Sequence, residues 1–347
     1  MIISGIKFTP YRIPFKNPFK TAINTYSFRE GIIIEIQSDG ISGFGETAPL
    51  TNFSKESLIE ARNCLEGFSL ALEGINEEFN LEDLLLLAKA QSFDNPSALF
   101  GLETAIYDLY SNINKLPLWQ NFTKNCVDKI LINGLEKDIE SETKYPTFKI
   151  KLIKKNIFDI KEKMDKIFTK IGDECKIRID VNGSLDLPRA IRLCKELENY
   201  NIEYLEQPLP KSELEDLSEL RMHTEIPIAV DESLTNLNSA EELIENQSAD
   251  VFVIKPMITG SFNECIEIVN LGRESDIESV ITTTLGTEIE KQACIQLTFA
   301  SNIKLACGFS TSSLLMNNVV ETIESTPKIL KPNFSGLNII PEKRPYI

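Results

Sequence analysis

Five short β-rich runs in the middle of this chain end on residues that could do acid–base chemistry together. They are Lys149-x-Lys151, Asp180-x-Asn182, Glu206-Gln207-Pro208, Asp231-Glu232-Ser233 and Lys255-Pro256. In order they read lysine, three carboxylates, lysine. Three acids on adjacent strands would repel one another unless a hard cation sat among them. Oxygen donors with no His or Cys beside them favour Mg²⁺, with Mn²⁺ as a substitute, over zinc or copper, so Asp180, Glu206 and Asp231 are the candidate metal ligands. The two lysine groups would face each other across that ion, with a substrate carboxylate between them. This arrangement suits removal of a proton α to the carboxylate, with the metal stabilising the enediolate. The base must itself be deprotonated near neutral pH. Lys149 and Lys151 are two residues apart on one strand and share a face, so the Lys149 ammonium is expected to depress Lys151. Lys151 is therefore the candidate base, Lys255 the cation opposite it, and Lys149 the tuning charge.

Each motif alone has a bland reading. The K-x-K lies beside Lys154 and Lys155, as a solvated basic face would. An acid at a strand end is often a helix N-cap, and E-Q-P and D-E-S can be ordinary turns. The right residue type at five consecutive strand ends outweighs these readings.

The elements that carry these residues follow a barrel rhythm. From Phe148 the runs T-F-K-I-K-L, K-I-R-I-D-V, I-E-Y-L-E-Q, I-P-I-A-V-D-E, V-F-V-I-K-P, S-V-I-T-T-T and I-K-L-A-C-G-F alternate with amphipathic stretches. Their ends fall at Lys151, Asp180, Glu206, Asp231, Lys255, Thr283 and Phe309, giving steps of 29, 26, 25, 24, 28 and 26 residues. One β/α unit of a barrel occupies that length, and barrel enzymes place their chemistry at the C-terminal strand ends. Before the barrel, residues 1 to about 50 read as a meander of strands. Helical spacing follows over 54–74, with Ser54 as N-cap, then over 81–91 and 97–113. The expected division is an α+β unit over 1–120 and a barrel over 121–330, with the tail 331–347 returning to the first unit.

Composition excludes several classes. A net charge of −16 in 347 residues argues against nucleic acid or an anionic membrane as partner. No signal-like start and no apolar run of membrane-spanning length is seen, so a cytoplasmic protein acting on a small carboxylate is expected. Seven scattered cysteines without a C-x-x-C pair read as reduced thiols, and the one histidine, His223, as a loop residue. That leaves no multi-His zinc site and no redundant Ser-His-Asp triad. Self-association stays possible, since nothing in the sequence decides it.

K-I-K, R-I-D-V-N, Y-L-E-Q-P, V-D-E-S and V-I-K-P, in this order and spacing, resemble the enolase superfamily. The similarity lies in the branch holding muconate cycloisomerases, dipeptide epimerases and o-succinylbenzoate synthases, and it extends over nearly the whole chain. It implies an α/β fold, a modified (β/α) TIM-type barrel closed by an α+β capping domain built from both termini. It also implies Asp180, Glu206 and Asp231 as metal ligands, with Lys151 and Lys255 on opposite faces of the substrate.

Within the branch, G-E-T-A-P-L-T-N-F-S-K-E-S (45–57) resembles a loop of the o-succinylbenzoate synthases, with Thr51-Asn52 in place of their Pro-Gly. N-P-S-A-L-F-G-L-E-T-A-I-Y-D-L (95–109) and I-K-P-M-I-T-G-S (254–261) resemble the same enzymes. Where dipeptide epimerases carry Asp-x-Asp, this chain has Phe309-Ser310-Thr311. Asn182, Thr283, Gly308 and Thr311 are expected to touch substrate. The implied reaction is dehydration of 2-succinyl-6-hydroxy-2,4-cyclohexadiene-1-carboxylate to o-succinylbenzoate, a menaquinone precursor. Dipeptide epimerase or N-acylamino acid racemase activity is the alternative.

Overall fold

The computed structural model describes residues 1–347 except 21–23, 52, 142, 153–156, 173, 317–327, 338 and 340–347. Lys154, Lys155, Asn52 and most of the tail beyond Leu337 therefore lie outside the described residues.

The first 47 residues form an antiparallel meander of β1 (Gly5–Lys20), β2 (Thr25–Ser38) and β3 (Ile41–Thr47). Asp39 and Gly40 both have positive φ, as the two central residues of a tight hairpin turn require. Ile32, Ile34 and Ile36 of β2 point toward α1 (Leu58–Leu72), α2 (Leu81–Gln91) and α3 (Pro96–Asn114), where they meet Leu65, Phe68, Ala98 and Leu102. Helix α3 lies directly on β3. A Cβ added at Gly45 would stand 2.0 Å from the Gly101 carbonyl, so the G-F-G sequence is what permits this approach. Ser57, rather than Ser54, caps α1, because Glu60 at the third helical position completes a capping box with it. The Ser54 hydroxyl instead accepts from the Leu50 amide, and Glu56 is drawn inward to accept from the Ser97 amide at the start of α3.

After β4 (Lys129–Leu131) the barrel opens with β5 (Gly134–Leu135), then β6 (Thr147–Lys151), β7 (Lys176–Asp180), β8 (Ile202–Glu206), β9 (Ile228–Val230), β10 (Val251–Ile254) and β11 (Glu278–Ile281). These seven strands pair in chain order, each joined in parallel to the next. The helices between and after them are α4 (Ile157–Ile171), α5 (Leu187–Leu197), α6 (Leu214–Arg221), α7 (Leu237–Glu245), the single turn α8 (Pro256–Thr259), α9 (Phe262–Glu274) and α10 (Glu288–Ser301).

Two expectations change here. The run I-K-L-A-C-G-F is not a full strand. It closes the ring through isolated bridges, Thr282 to Gly308 and Ile132 to Cys307. The strand β5 was not anticipated, because two residues are too short to show alternation.

The C-terminal segment comes back to the first unit. Strand β12 (Lys328–Leu330) pairs with β4, the Gly336 amide donates to Leu116 O, and the Leu337 amide donates to Asp108 of α3 at 2.6 Å. A capping domain built from both ends of the chain thus sits on a (β/α) barrel. No helix among the described residues is long and apolar enough to cross a membrane.

Candidate active site

Register alone brings the chemistry together. Lys151 pairs with Asp180 across β6 and β7, and Asp180 pairs with Glu206 across β7 and β8, so all three sit at one level of the barrel mouth. Asp231 and Lys255 immediately follow β9 and β10. Above them lies a cavity of about 340 Å³ between the barrel mouth and loops of the capping domain.

Each lysine rests against a carboxylate. Lys149 Nζ is 2.6 Å from Glu206 Oε1 and 3.0 Å from Asp180 Oδ2. Lys151 Nζ is 3.8 Å from Asp180 Oδ2 and donates to Asn182 Oδ1 at 3.3 Å. Lys255 Nζ is 2.6 Å from Asp231 Oδ2. Burial works against the charge of Lys149, but Asp180, Glu206 and Asp231 outweigh it and hold the ammonium well above the ordinary lysine range. Lys149 is thus a fixed cation. Burial likewise opposes the charge of Asp180, and Lys149 and Lys151 overcome it, leaving that carboxyl below its usual range. At Glu206 burial pushes the carboxyl above its usual range, the Lys149 ammonium draws it back down, and repulsion from Asp180 and Asp231 adds to the upward push.

This donor set suits a hard divalent cation. It offers oxygen only, its acids repel one another, and Glu206 Oε2 and Glu232 Oε2 are buried without a hydrogen-bond partner. Among the described residues no group of three His, Cys, Asp or Glu stands at ligating separation, and a lysine ammonium lies against each of Asp180, Glu206 and Asp231.

The cavity wall contains residues that sequence reasoning named and others that it missed. Asn182, Thr283, Gly308 and Thr311 all line it. The Thr283 and Thr311 hydroxyls bond to each other, and Gly308 must be glycine because a Cβ there would stand 2.4 Å from Thr282 Oγ1. Glu232, quoted in the Asp231-Glu232-Ser233 motif but given no role, accepts from the Asn182 amide group at 3.1 Å, and two aromatic residues of the capping domain were missed. The Phe19 ring centre lies 5.0 Å from Lys151 Nζ and the Phe53 ring centre 4.0 Å from Lys255 Nζ, so each flanking lysine has an aromatic face over it. Phe53 sits in the quoted 45–57 loop, which was its one signal. Phe19 had none. His223 is exposed and does not line the cavity, and its ring lies against the Glu219 carbonyl.

A barrel mouth with lysine, three acids and lysine on successive strands, under a cap built from both termini, defines a recognised class. The chain belongs to the enolase superfamily: residues 135–328 match the family described as enolase C-terminal domain-like, and residues 5–109 match the MenC N-terminal domain. Its relatives include the L-Ala-D/L-Glu epimerase of Clostridium acetobutylicum, 30% identical over 87% of this chain and 88% of that one. The o-succinylbenzoate synthase of Bacillus subtilis is 27% identical over 88% of this chain and 85% of that one. Among solved structures, the dipeptide epimerase of Enterococcus faecalis V583 complexed with Mg and the dipeptide L-Leu-L-Tyr superposes with a TM-score of 0.88 at 24% identity, covering 98% and 99% of the two chains.

Proposed function

We propose that this enzyme abstracts a proton α to the carboxylate of an amine-free substrate, and that it is an o-succinylbenzoate synthase, a carbon–oxygen lyase. The reading is carried by the wall formed after β11 and at 308–311. Thr283, Thr284, Gly308, Ser310 and Thr311 offer hydroxyls and backbone there, and among the described residues the acids lining the cavity, Asp180, Asp231 and Glu232, all belong to the opposite side, where the metal would bind. A substrate ammonium placed against that wall would lose its hydration without gaining a carboxylate, which is costly. Phe19, Tyr26, Leu50 and Phe53 give the cap side an apolar surface suited to a ring. The MenC match over residues 5–109 supports the same reading.

Asp180, Glu206 and Asp231 would hold Mg²⁺, or Mn²⁺ in its place, which supplies Lewis-acid stabilisation of the charge that develops on the substrate carboxylate. Lys151 takes the ring proton and returns it to the departing hydroxide, so that water leaves and an aromatic ring forms. Lys255, anchored on Asp231, stays a cation against the developing charge. Lys149 balances the charge of the two acids beside it.

A second reading, dipeptide epimerase or N-acylamino acid racemase, is favoured by the 30% identity to the Clostridium epimerase and by the presence of both Lys151 and Lys255 in the cavity lining. The test is loss of the cyclohexadiene absorbance with Mg²⁺, run beside α-proton exchange on dipeptides and N-acylamino acids in D₂O. Rapid dehydration supports the synthase. Exchange without dehydration moves the assignment to the epimerase or racemase.

A further inference from the structure

Two buried glutamates outside the metal-binding side join the capping domain to one wall of the cavity. Glu46, at the end of β3, accepts the Thr287 amide at 3.0 Å, the Thr287 hydroxyl at 2.5 Å, the Glu290 amide at 3.1 Å and the Tyr11 hydroxyl. A carboxylate of the cap thus satisfies the free amides at the N-terminus of the barrel helix α10 and lies at the positive end of its dipole. Burial, together with the Glu46 charge, holds the Tyr11 phenol well above its usual range, so it remains a donor. Arg29, buried beside them, donates to the carbonyls of Ala48 and Pro49 and places a positive charge near Glu290.

Within the first turn of α10, Glu290 accepts the amides of Thr284 and Gly286, each at 2.6 Å. These two amides flank Leu285, a branched residue with φ of +64° that lines the cavity. A leucine does not keep this left-handed conformation unless its surroundings enforce it. Gly286 is fitted to the same clamp, since a Cβ there would stand 2.2 Å from Glu290 Oε2. Cap strand, helix N-terminus, glutamate clamp and strained wall residue therefore form one hydrogen-bonded chain.

We propose that Glu46 and Glu290 are positioning residues that transmit the docking of the capping domain to Leu285 and fix it in the wall that meets the substrate. The proposal rests on the reading of this cavity as the substrate site, and its test is chosen to separate the two.

Hydrogen–deuterium exchange is followed on the full chain as wild type, Glu46→Gln and Glu290→Gln. The expected result is exchange about tenfold faster over 284–290 in both variants, with β8 and β10 unchanged. In the assays above, KM should rise more than kcat falls, and Glu290→Gln should add nothing further in a Leu285→Gly background, where no strain remains to be held. Should Glu46→Gln fail to fold, Glu46→Asp is measured in the same way. Unchanged exchange over 284–290, or a uniform rise across the whole barrel, overturns the proposal. A wild-type chain that turns over none of the substrates would sink the functional reading alone, since the exchange result needs no substrate.

Discussion

Lys149 and Glu206 form a buried ion pair, with Nζ 2.6 Å from Oε1 and the carboxylate wholly buried. The same ammonium reaches Asp180, so one lysine neutralises two of the acids proposed to hold the metal. Removing one partner of such a pair costs about 3–5 kcal/mol, because the other charge is left buried and uncompensated. Lys149→Met is therefore expected to melt several degrees lower in EDTA and to recover much of that loss on adding Mg²⁺. Thermal melts with and without the ion would show it. A variant that melts like wild type in EDTA would mean that the pair is not stabilising.

Lys151 is the proposed base. Its replacement by alanine should lower turnover by about 10²–10⁴-fold, the usual worth of a positioned general base, while leaving the three acids in place. Turnover measured beside calorimetric Mg²⁺ titration separates the two effects. Undiminished turnover would transfer the role to Lys255.

Glu103 of α3 accepts the Phe262 amide at 2.9 Å and the Ser261 hydroxyl at 3.1 Å, so it caps α9 from across the domain boundary. Burial raises its carboxyl from 4.5 to about 7. Folding therefore takes up a proton between those values. The stability contributed by the neutral form is complete below about 4.5 and is lost as pH rises through about 7. Glu103→Gln stays neutral, so its melting temperature relative to wild type should climb between about pH 5 and about pH 8, by the equivalent of about 1–3 kcal/mol. A constant difference over that range would show that Glu103 carries no such shift.

Gly45 has no room for a methyl group against the Gly101 carbonyl. Gly45→Ala should push β3 off α3 and cost about 1–3 kcal/mol by overpacking, with part of the loss appearing as weaker docking of the cap through its neighbour Glu46. Denaturant melts give the first quantity, and exchange over 284–290 the second. A neutral substitution would mean that the helix can shift without loss.

That Lys151, Asp180, Glu206, Asp231 and Lys255 share one barrel mouth was legible because each stands at a strand end and the barrel repeats its strands at a regular interval. Pairing of Lys151 with Asp180, and of Asp180 with Glu206, is the structural counterpart of that interval. The eighth wall was less legible. At 307 and 308 the chain contributes single bridges, which leave no alternation to read. Phe19 and Phe53 were hidden for a different reason, since only the packing of the cap over the barrel places their rings above Lys151 and Lys255. Glu46 and Glu103 look like surface acids in sequence and act across the domain boundary in three dimensions. An acid inside the otherwise apolar G-L-E-T-A-I of α3 was the available hint. Ser54 and Ser57 competed for one cap, and the position of Glu60 decided between them.

The Leu337 amide meets Asp108 across 229 positions of chain. A ribosome that has made the meander and α3 has therefore made an unfinished lid. The missing piece emerges only after every barrel strand has been synthesised, so sealing the lid is a late, long-range event that follows assembly of the barrel beneath it. A truncated chain that stalls before this segment would carry the whole row of lysines and acids yet lack the last staple of its cover.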